Sequence, residues 1–333
     1  MKDWLARRRD ALLLALVLVV GLAVTASLTA TIRANEELQL RARLESETRR
    51  ALATSRVVAL QAVAAVQGAS QMFAAQETVT RGEFSRLARR VLEDTPGLRA
   101  LQWQPLVPRA RREAFEQAAQ LEGYPGYRFV EPDGRGGLRP AGARDFYVPI
   151  HYYEPGDLSA PGLDLAFDAD RLVTKLIARD MGEPVASTAY WPILAGGRQE
   201  PQEPGRLSFI VSAPVYRLGG GDTVAQRREL IAGWVGGIVR VASLFHESAI
   251  WTHFAGLDLL VFDASAKPRQ LVYARVGEGS DLASPGGDYA AGEYDTLTAM
   301  LVGGRTWEVV LHPRPAFFAS VSADARSTAF FAY

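Results

Sequence analysis

Residues 11–32, ALLLALVLVVGLAVTASLTATI, run for 22 positions without a charge. At the α-helical rise such a run is about 33 Å long, which matches the roughly 30 Å hydrocarbon core of a bilayer with a little tilt. The segment is read as a transmembrane helix. The leader before it, residues 1–10, holds Lys2, Arg7, Arg8 and Arg9. Basic residues flanking a first span stay on the cytoplasmic side, so the chain after Arg33 is expected outside the cytoplasm, in bacterial terms in the periplasm. The expected location is therefore the cell inner membrane, with one span, a cytoplasmic N-terminus and a periplasmic bulk. A cleaved secretory signal shares the basic start and the apolar middle, and Thr25-Ala26-Ser27 and Leu28-Thr29-Ala30 offer small residues for cutting. A signal's apolar region spans about 7–15 residues, however, and this longer run passes straight into a charged, helix-compatible stretch, which favours an anchor.

Outward from the membrane, residues 33–95 contain no proline and are rich in Ala, Leu, Arg, Glu and Gln. Leu38, Leu44, Leu52, Ala59, Val63 and Val66 are spaced as an apolar stripe, so the segment is predicted as one long helical stalk or two nearly continuous helices. Residues 33–56 are heavily charged and offer little to cover a domain, which favours pairing with a second copy, a homodimer through the stalk. Thr80 and Glu83 have the T-x-x-E spacing of a capping box, followed by an apolar stripe at Phe84, Leu87, Ala88, Val91 and Leu92, and Pro96-Gly97 ends that helix.

The 37 basic and 37 acidic residues cancel, so no overall field favours nucleic acid. With no cysteine, the exported part relies on its core rather than on disulfides, and thiolate metal sites and cysteine nucleophiles are excluded. Beyond residue 96, glycine and proline punctuate short alternating runs. Strands are predicted at 98–103, 146–153, 163–167, 185–193, 207–217 and 233–241, with helices at 109–122, where Phe115, Ala118, Ala119 and Leu121 face inward, and at 169–181. A helix over 241–253 leads to strands at 257–263, 270–275, 289–300 and 305–312. The class is α+β, with antiparallel sheets in two successive units.

Several blocks resemble the CHASE domains, extracytoplasmic sensors of receptor histidine kinases and of nucleotide and diguanylate cyclases. Glu83-Phe84 leading to Pro96-Gly97-Leu98-Arg99-Ala100-Leu101-Gln102-Trp103 looks like that family's first signature. Phe146-Tyr147-Val148-Pro149-Ile150 with Glu154-Pro155, and Gly162-Leu163-Asp164-Leu165 with Asp170-Arg171, resemble its central block. Ala213-Pro214-Val215-Tyr216 followed by residues 231–240, IAGWVGGIVR, and Gly303-Gly304-Arg305-Thr306-Trp307 continue the match in the family's order, over about residues 80–315. The resemblance implies a long stalk, a membrane-distal PAS-like ligand-binding domain (96–245) and a membrane-proximal PAS-like domain (246–314). Family members leave through a second transmembrane helix, toward which residues 315–333 would form the tail.

The resemblance also implies a ligand. In plant members an acidic residue just after the Tyr-x-Pro-Val strand holds an adenine derivative, and here that place reads Glu154-Pro155-Gly156-Asp157. Ser187 and Ser212 fall where those receptors carry pocket hydroxyls. On the run 146–153, Tyr147, Pro149, His151 and Tyr153 share one face, and that face is expected to look into the pocket, with a plain aromatic core as the alternative. Asp164, between two leucines, needs a partner, and a structural pair with Arg171 or Arg240 is the simplest.

Catalytic readings fare worse. His246 and His253 stand seven apart, which is not the spacing of a zinc protease motif, and Gly219-Gly220-Gly221 lacks the lysine of a phosphate loop. No nucleophile with its base can be assembled, and no cofactor is implied. The expected function is a membrane-anchored sensor that binds a small molecule and signals through its stalk to a cytoplasmic output module outside this sequence. A membrane-tethered periplasmic hydrolase is the alternative.

Overall fold

The computed structural model describes residues 2–76, 78–155, 161–193, 199–200, 202, 205–217, 220–246, 256–280, 282, 286 and 288–319. The chain begins with α1, Lys2–Ala74, a helix of 73 residues. Leu16, Val17, Leu18, Val19, Val20, Leu22, Val24, Leu28 and Ile32 are all more than half exposed. Apolar on every side, this part of α1 is long and apolar enough to cross a membrane. Burial begins at Leu40 and continues along one stripe through Leu44, Leu52, Ala59, Ala62, Val66, Ala69 and Phe73.

After a break, α2 (Arg81–Asp94) starts with the expected capping box: Glu83 N donates to Thr80 Oγ1 and the Thr80 N–H donates to Glu83 Oε2. The next elements are β1 (Leu98–Pro105), β2 (Val107–Pro108), α3 (Arg112–Leu121), β3 (Val130–Pro132), β4 (Leu138–Pro140), β5 (Phe146–Tyr147) and β6 (Tyr152–Glu154). Then come α4 (Ala169–Met181), β7 (Val185–Ala186), β8 (Ser208–Tyr216), α5 (Val224–Leu230), β9 (Ile231–Arg240) and α6 (Ser243–His246). The chain goes on with β10 (Leu257–Asp263), β11 (Gln270–Arg275), β12 (Thr296–Val302) and β13 (Arg305–Pro313).

The fold is α+β. One antiparallel sheet has the order β6-β1-β9-β8-β7 and the other β11-β10-β13-β12, with two short hairpins, β2-β5 and β3-β4, beside them. A single apolar cluster runs from α1 through both sheets; Phe209 of β8 meets Trp307 of β13 edge to face at 5.3 Å. Thr48 Oγ1 lies 2.8 Å from Thr296 Oγ1, and Arg56 donates to the Ala299 carbonyl at 2.8 Å. Residues 40–56 of the stalk are therefore covered by the second sheet of the same chain. The premise that this stretch has nothing to pack on is corrected: its few apolar residues suffice because Thr48 and Arg56 supply polar contacts.

The run 146–153 is not one strand but two short ones. Asp164 Oδ1 accepts from Val148 N at 2.7 Å, and Pro149 has no N–H to give a ladder, so pairing lapses between β5 and β6. Residues 163–167 form a bridge at Asp164 and a tight helical turn, Leu165–Phe167, which the Asp164 side chain caps. After β7 the run to Ile193 continues only as isolated bridges. The last predicted strand before β13 is shorter than expected, Thr296–Val302. Leu121, expected inward, ends its helix 90% exposed. His253, Asp157 and residues 320–333 lie outside the described residues.

Candidate ligand-binding site

Both faces of the first sheet are covered. Along β8, Phe209, Val211, Ala213 and Val215 join the cluster around α1, while Ile210 and Ser212 point the other way, toward α4. The register carries this alternation across the sheet: Gln102, Gly236 and Ser212 align across β1, β9 and β8, and Ile238 stands opposite Ile210.

Asp168 starts α4, its Oδ1 accepting from Asp170 N at 3.1 Å and Arg171 N at 3.2 Å, and Gly182 ends it at φ +81°. The helix then lies with the less expected face inward. Val173, Ile177 and Met181 are 52%, 45% and 59% exposed, whereas Lys175 is 1% exposed and Thr174 and Ala178 are buried beside it. Burying an ammonium costs free energy that burying the apolar stripe would not. Such a conflict between local pattern and packing is the mark of a site shaped for something besides stability.

Lys175 Nζ donates to Ser212 Oγ at 3.2 Å and to Gln104 Oε1, and Gln104 Nε2 in turn donates to Gln102 Oε1 at 2.7 Å. Trp234 Nε1 donates to the Lys175 carbonyl at 2.9 Å, pinning the helix to the sheet. Glycine at 236 makes room for the amide row, since a Cβ there would lie 2.4 Å from Gln104 Nε2. The acceptors of Lys175 are thus neutral oxygens. Burial, reinforced by Arg171, lowers the Lys175 pKa to about 7. One turn earlier, the Arg171 guanidinium stacks 4.1 Å over the Tyr190 ring; its Nε lies 3.2 Å from Asp168 Oδ2 without the geometry of a hydrogen bond.

Between α4 and the sheet is a narrow recess, about 20 Å³ in volume and open at its mouth. Gln102, Ile210 and Ile238 form the floor, Arg171 and Lys175 the roof. Ile150, Leu163 and Leu165 make one wall, and Tyr190, Pro192 and Ile193 the other. A mostly apolar concavity with a few convergent polar groups is the usual form of a small-molecule site.

None of the seven residues expected at the ligand lines this recess directly. Ser212 touches it through Lys175. Ser187 is buried, accepting from Ile210 N at 3.1 Å and donating to the Thr188 carbonyl at 2.8 Å. Tyr153 packs behind Ile150, Leu163 and Leu165. Pro149 bridges to Asp164. Asp164 is fully buried, and its partner is neither Arg171 nor Arg240 but Arg144, whose Nη1 is 2.9 Å away and whose Nη2 reaches Glu131 at 2.5 Å. Tyr147 sits in a separate aromatic group, 5.2 Å from the Phe129 ring, with its hydroxyl accepting from Arg112 at 3.2 Å. Because the strand lapses after Tyr147, it is Ile150 that reaches the recess. Glu154 lies 3.6 Å from Arg89 of α2, at the outer edge of the sheet.

Arg171, Lys175, Gln102 and Tyr190 are not among the residues expected at the ligand, and Arg171 is read from the sequence only as a structural partner for Asp164. The available signal was a pair of cations four apart in 169–181, on the face opposite Val173, Ile177 and Met181. Among the described residues, no group of three or more His, Asp or Glu is placed to hold a metal.

A family model described as CHASE domain matches residues 77–273, which hold all five strands of the recess sheet as well as α4 itself. No curated relative matches. Among solved structures, an extracellular ligand binding receptor from Desulfohalobium retbaense is similar with TM-score 0.48 and 10% identity, over 81% of this chain and 40% of that one. This chain thus spans about two fifths of that receptor's length. The ligand binding domain of an amino acid chemoreceptor from Pseudomonas aeruginosa, in complex with GABA, aligns with TM-score 0.43 and 11% identity over 81% of this chain and 99% of that one. A protein described as methyl-accepting chemotaxis protein X aligns with TM-score 0.47 and 16% identity over 84% of this chain and 99% of that one.

Proposed function

Because this chain belongs to the CHASE domain family, we propose that it is a membrane-anchored extracytoplasmic sensor that binds a small molecule in the recess between α4 and the first sheet. The observation that carries this reading is the inverted seating of α4, which buries Lys175 and leaves Val173, Ile177 and Met181 in solvent. The apolar part of α1 crosses the inner membrane, with the basic leader in the cytoplasm and both sheets in the periplasm. In this reading residues 96–245 and 246–314 are the distal and proximal PAS-like units. Along α1 the second sheet meets Thr48 and the first sheet meets Val66, which supports that order from the membrane outward. An output module beyond the membrane receives the signal.

A ligand shifts an equilibrium only if it binds one arrangement better than another. The sheet is the natural relay, since its two faces carry the recess and α1. A homodimer would use the outward side of α1, where Leu38, Val57 and Leu60 are exposed. An adenine derivative finds less support in this recess than a ligand with an acceptor for Lys175 and Arg171, since among the described residues no carboxylate lines it.

The test is a thermal-shift screen of the detergent-solubilised chain against a metabolite library, run in parallel on Ile193→Trp, which fills the mouth. A stabiliser active on the wild type and inactive on the variant supports the site. Equal stabilisation of both proteins by every active compound would overturn it.

A further inference from the structure

The chemistry of the recess narrows its occupant. Its roof carries two cations, Arg171 and Lys175, four residues apart on one face of α4. Asp168, at the start of the helix, lies 3.2 Å from Arg171 Nε. Among the described residues no acidic side chain lines the recess, and the acceptors around Lys175 Nζ are the neutral Gln104 amide and the Ser212 hydroxyl. When Lys175 is protonated, two positive charges stand against one flanking negative charge, and Lys175 is the one without a counter-charge. Apart from the Gln102 amide and the Tyr190 ring, the rest of the surface is apolar, with Ile150, Leu163, Leu165, Ile193, Ile210 and Ile238 among it.

Resting on the reading of this recess as the ligand site, we infer that it takes a small monocarboxylic acid, with the carboxylate at Arg171 and Lys175 and the apolar body along the isoleucine and leucine walls. One carboxylate supplies the missing charge and accepts from both donors. Charge-assisted bonds of this kind are about twice as strong as neutral ones, and the planar guanidinium suits a carboxylate in particular. An amine would meet two cations. A phosphate dianion would exceed the unmatched charge and leave its remaining oxygens facing hydrocarbon, where unpaired polar atoms are costly. The ammonium of Lys175, held near its neutral form by burial, is restored to its charged form by the incoming anion.

The experiment is calorimetric titration of the detergent-solubilised full chain with the straight monocarboxylates from propanoate to hexanoate, their amides, the matching amines and inorganic phosphate. The inference predicts binding of at least one acid, with its amide weaker by about tenfold or more, and a similar loss in Arg171→Met and Lys175→Met. Arg171→Lys keeps the charge and retains part of the affinity. Arg171 is at the first turn of α4, so the Arg171 variants carry the test even if Lys175→Met does not fold. Absence of binding by every acid, equal binding of an acid and its amide, or preference for an amine or for phosphate would each overturn the inference. Ile193→Trp separates the two levels: an amide or amine whose binding it blocks leaves the recess as the site and removes only the carboxylate, whereas binding that it leaves unchanged removes the recess itself.

Discussion

A Cβ placed on Gly237 would lie 2.2 Å from Val66 Cγ2, so the middle strand of the first sheet and the stalk helix meet with no atom to spare. The neighbouring Gly236 performs the same service on the other face for the Gln104 amide. Consecutive glycines in β9 thus bring the stalk and the polar row under the recess as close to one backbone as side chains permit.

Gly237→Ala therefore forces the helix off the sheet. Overpacking of this sort costs about 1–3 kcal/mol. Urea unfolding of the detergent-solubilised chain should show that loss, and Val66→Ala added to Gly237→Ala should recover part of it. A fully additive double mutant would mean that the two residues do not meet.

Lys175 is predicted to make the folded state more stable as pH rises. Its pKa is lowered to about 7, from an ordinary value of 10.5, by burial first and by Arg171 second. Between those values the unfolded chain holds a proton that the folded chain has released, so stability increases with pH across that window, by at most about 1.4 kcal/mol per pH unit. Below pH 7 the contribution is flat and unfavourable. Comparing denaturant midpoints of wild type and Lys175→Met at pH 7 and pH 9 isolates it: the wild type should gain on the variant at the higher pH.

His151 works in the acid range. It is 7% exposed among Phe115, Tyr124, Tyr127 and Tyr152, and burial, with Arg81 adding to it, lowers its pKa from 6.5 to about 4. The neutral ring is the form that fits, so its contribution is complete above pH 6.5 and is lost as pH falls toward 4, at most on the order of 3 kcal/mol. His151→Gln should flatten that part of the stability profile between pH 7 and pH 4.5. A profile as steep as that of the wild type would place the acid sensitivity elsewhere.

Much of the scaffold is legible in the residues. The charge-free run 11–32, the Thr80 and Glu83 cap, the turn at Pro96-Gly97 and the strand runs 98–103 and 233–241 are local signals, and each forms the element it announces, within a residue or two at its ends. The run 146–153 reads as one strand because alternation cannot show that a carboxylate 16 residues on, Asp164, takes the Val148 N–H away from any ladder. The recess is harder still. On α4 Val173, Ile177 and Met181 are left exposed, and the seating is fixed by polar groups on other strands, Gln104 and Ser212, and by Trp234 holding the Lys175 carbonyl. Sequence spacing reveals what a helix prefers to bury, not what a distant sheet offers it. The stalk shows the same limit, since the cover over residues 40–56 comes from strands some 250 residues later, as the Thr48 to Thr296 contact shows.

The central claim is that occupancy of the recess is felt at the stalk through the shared sheet. Hydrogen exchange of the full chain, with and without a compound shown to bind, tests it most directly. The account predicts slower exchange in α4 (Ala169–Met181) together with altered exchange in the part of α1 packed on the first sheet, residues 59–73. A bound compound that slows exchange in α4 but leaves residues 59–73 unchanged would contradict it.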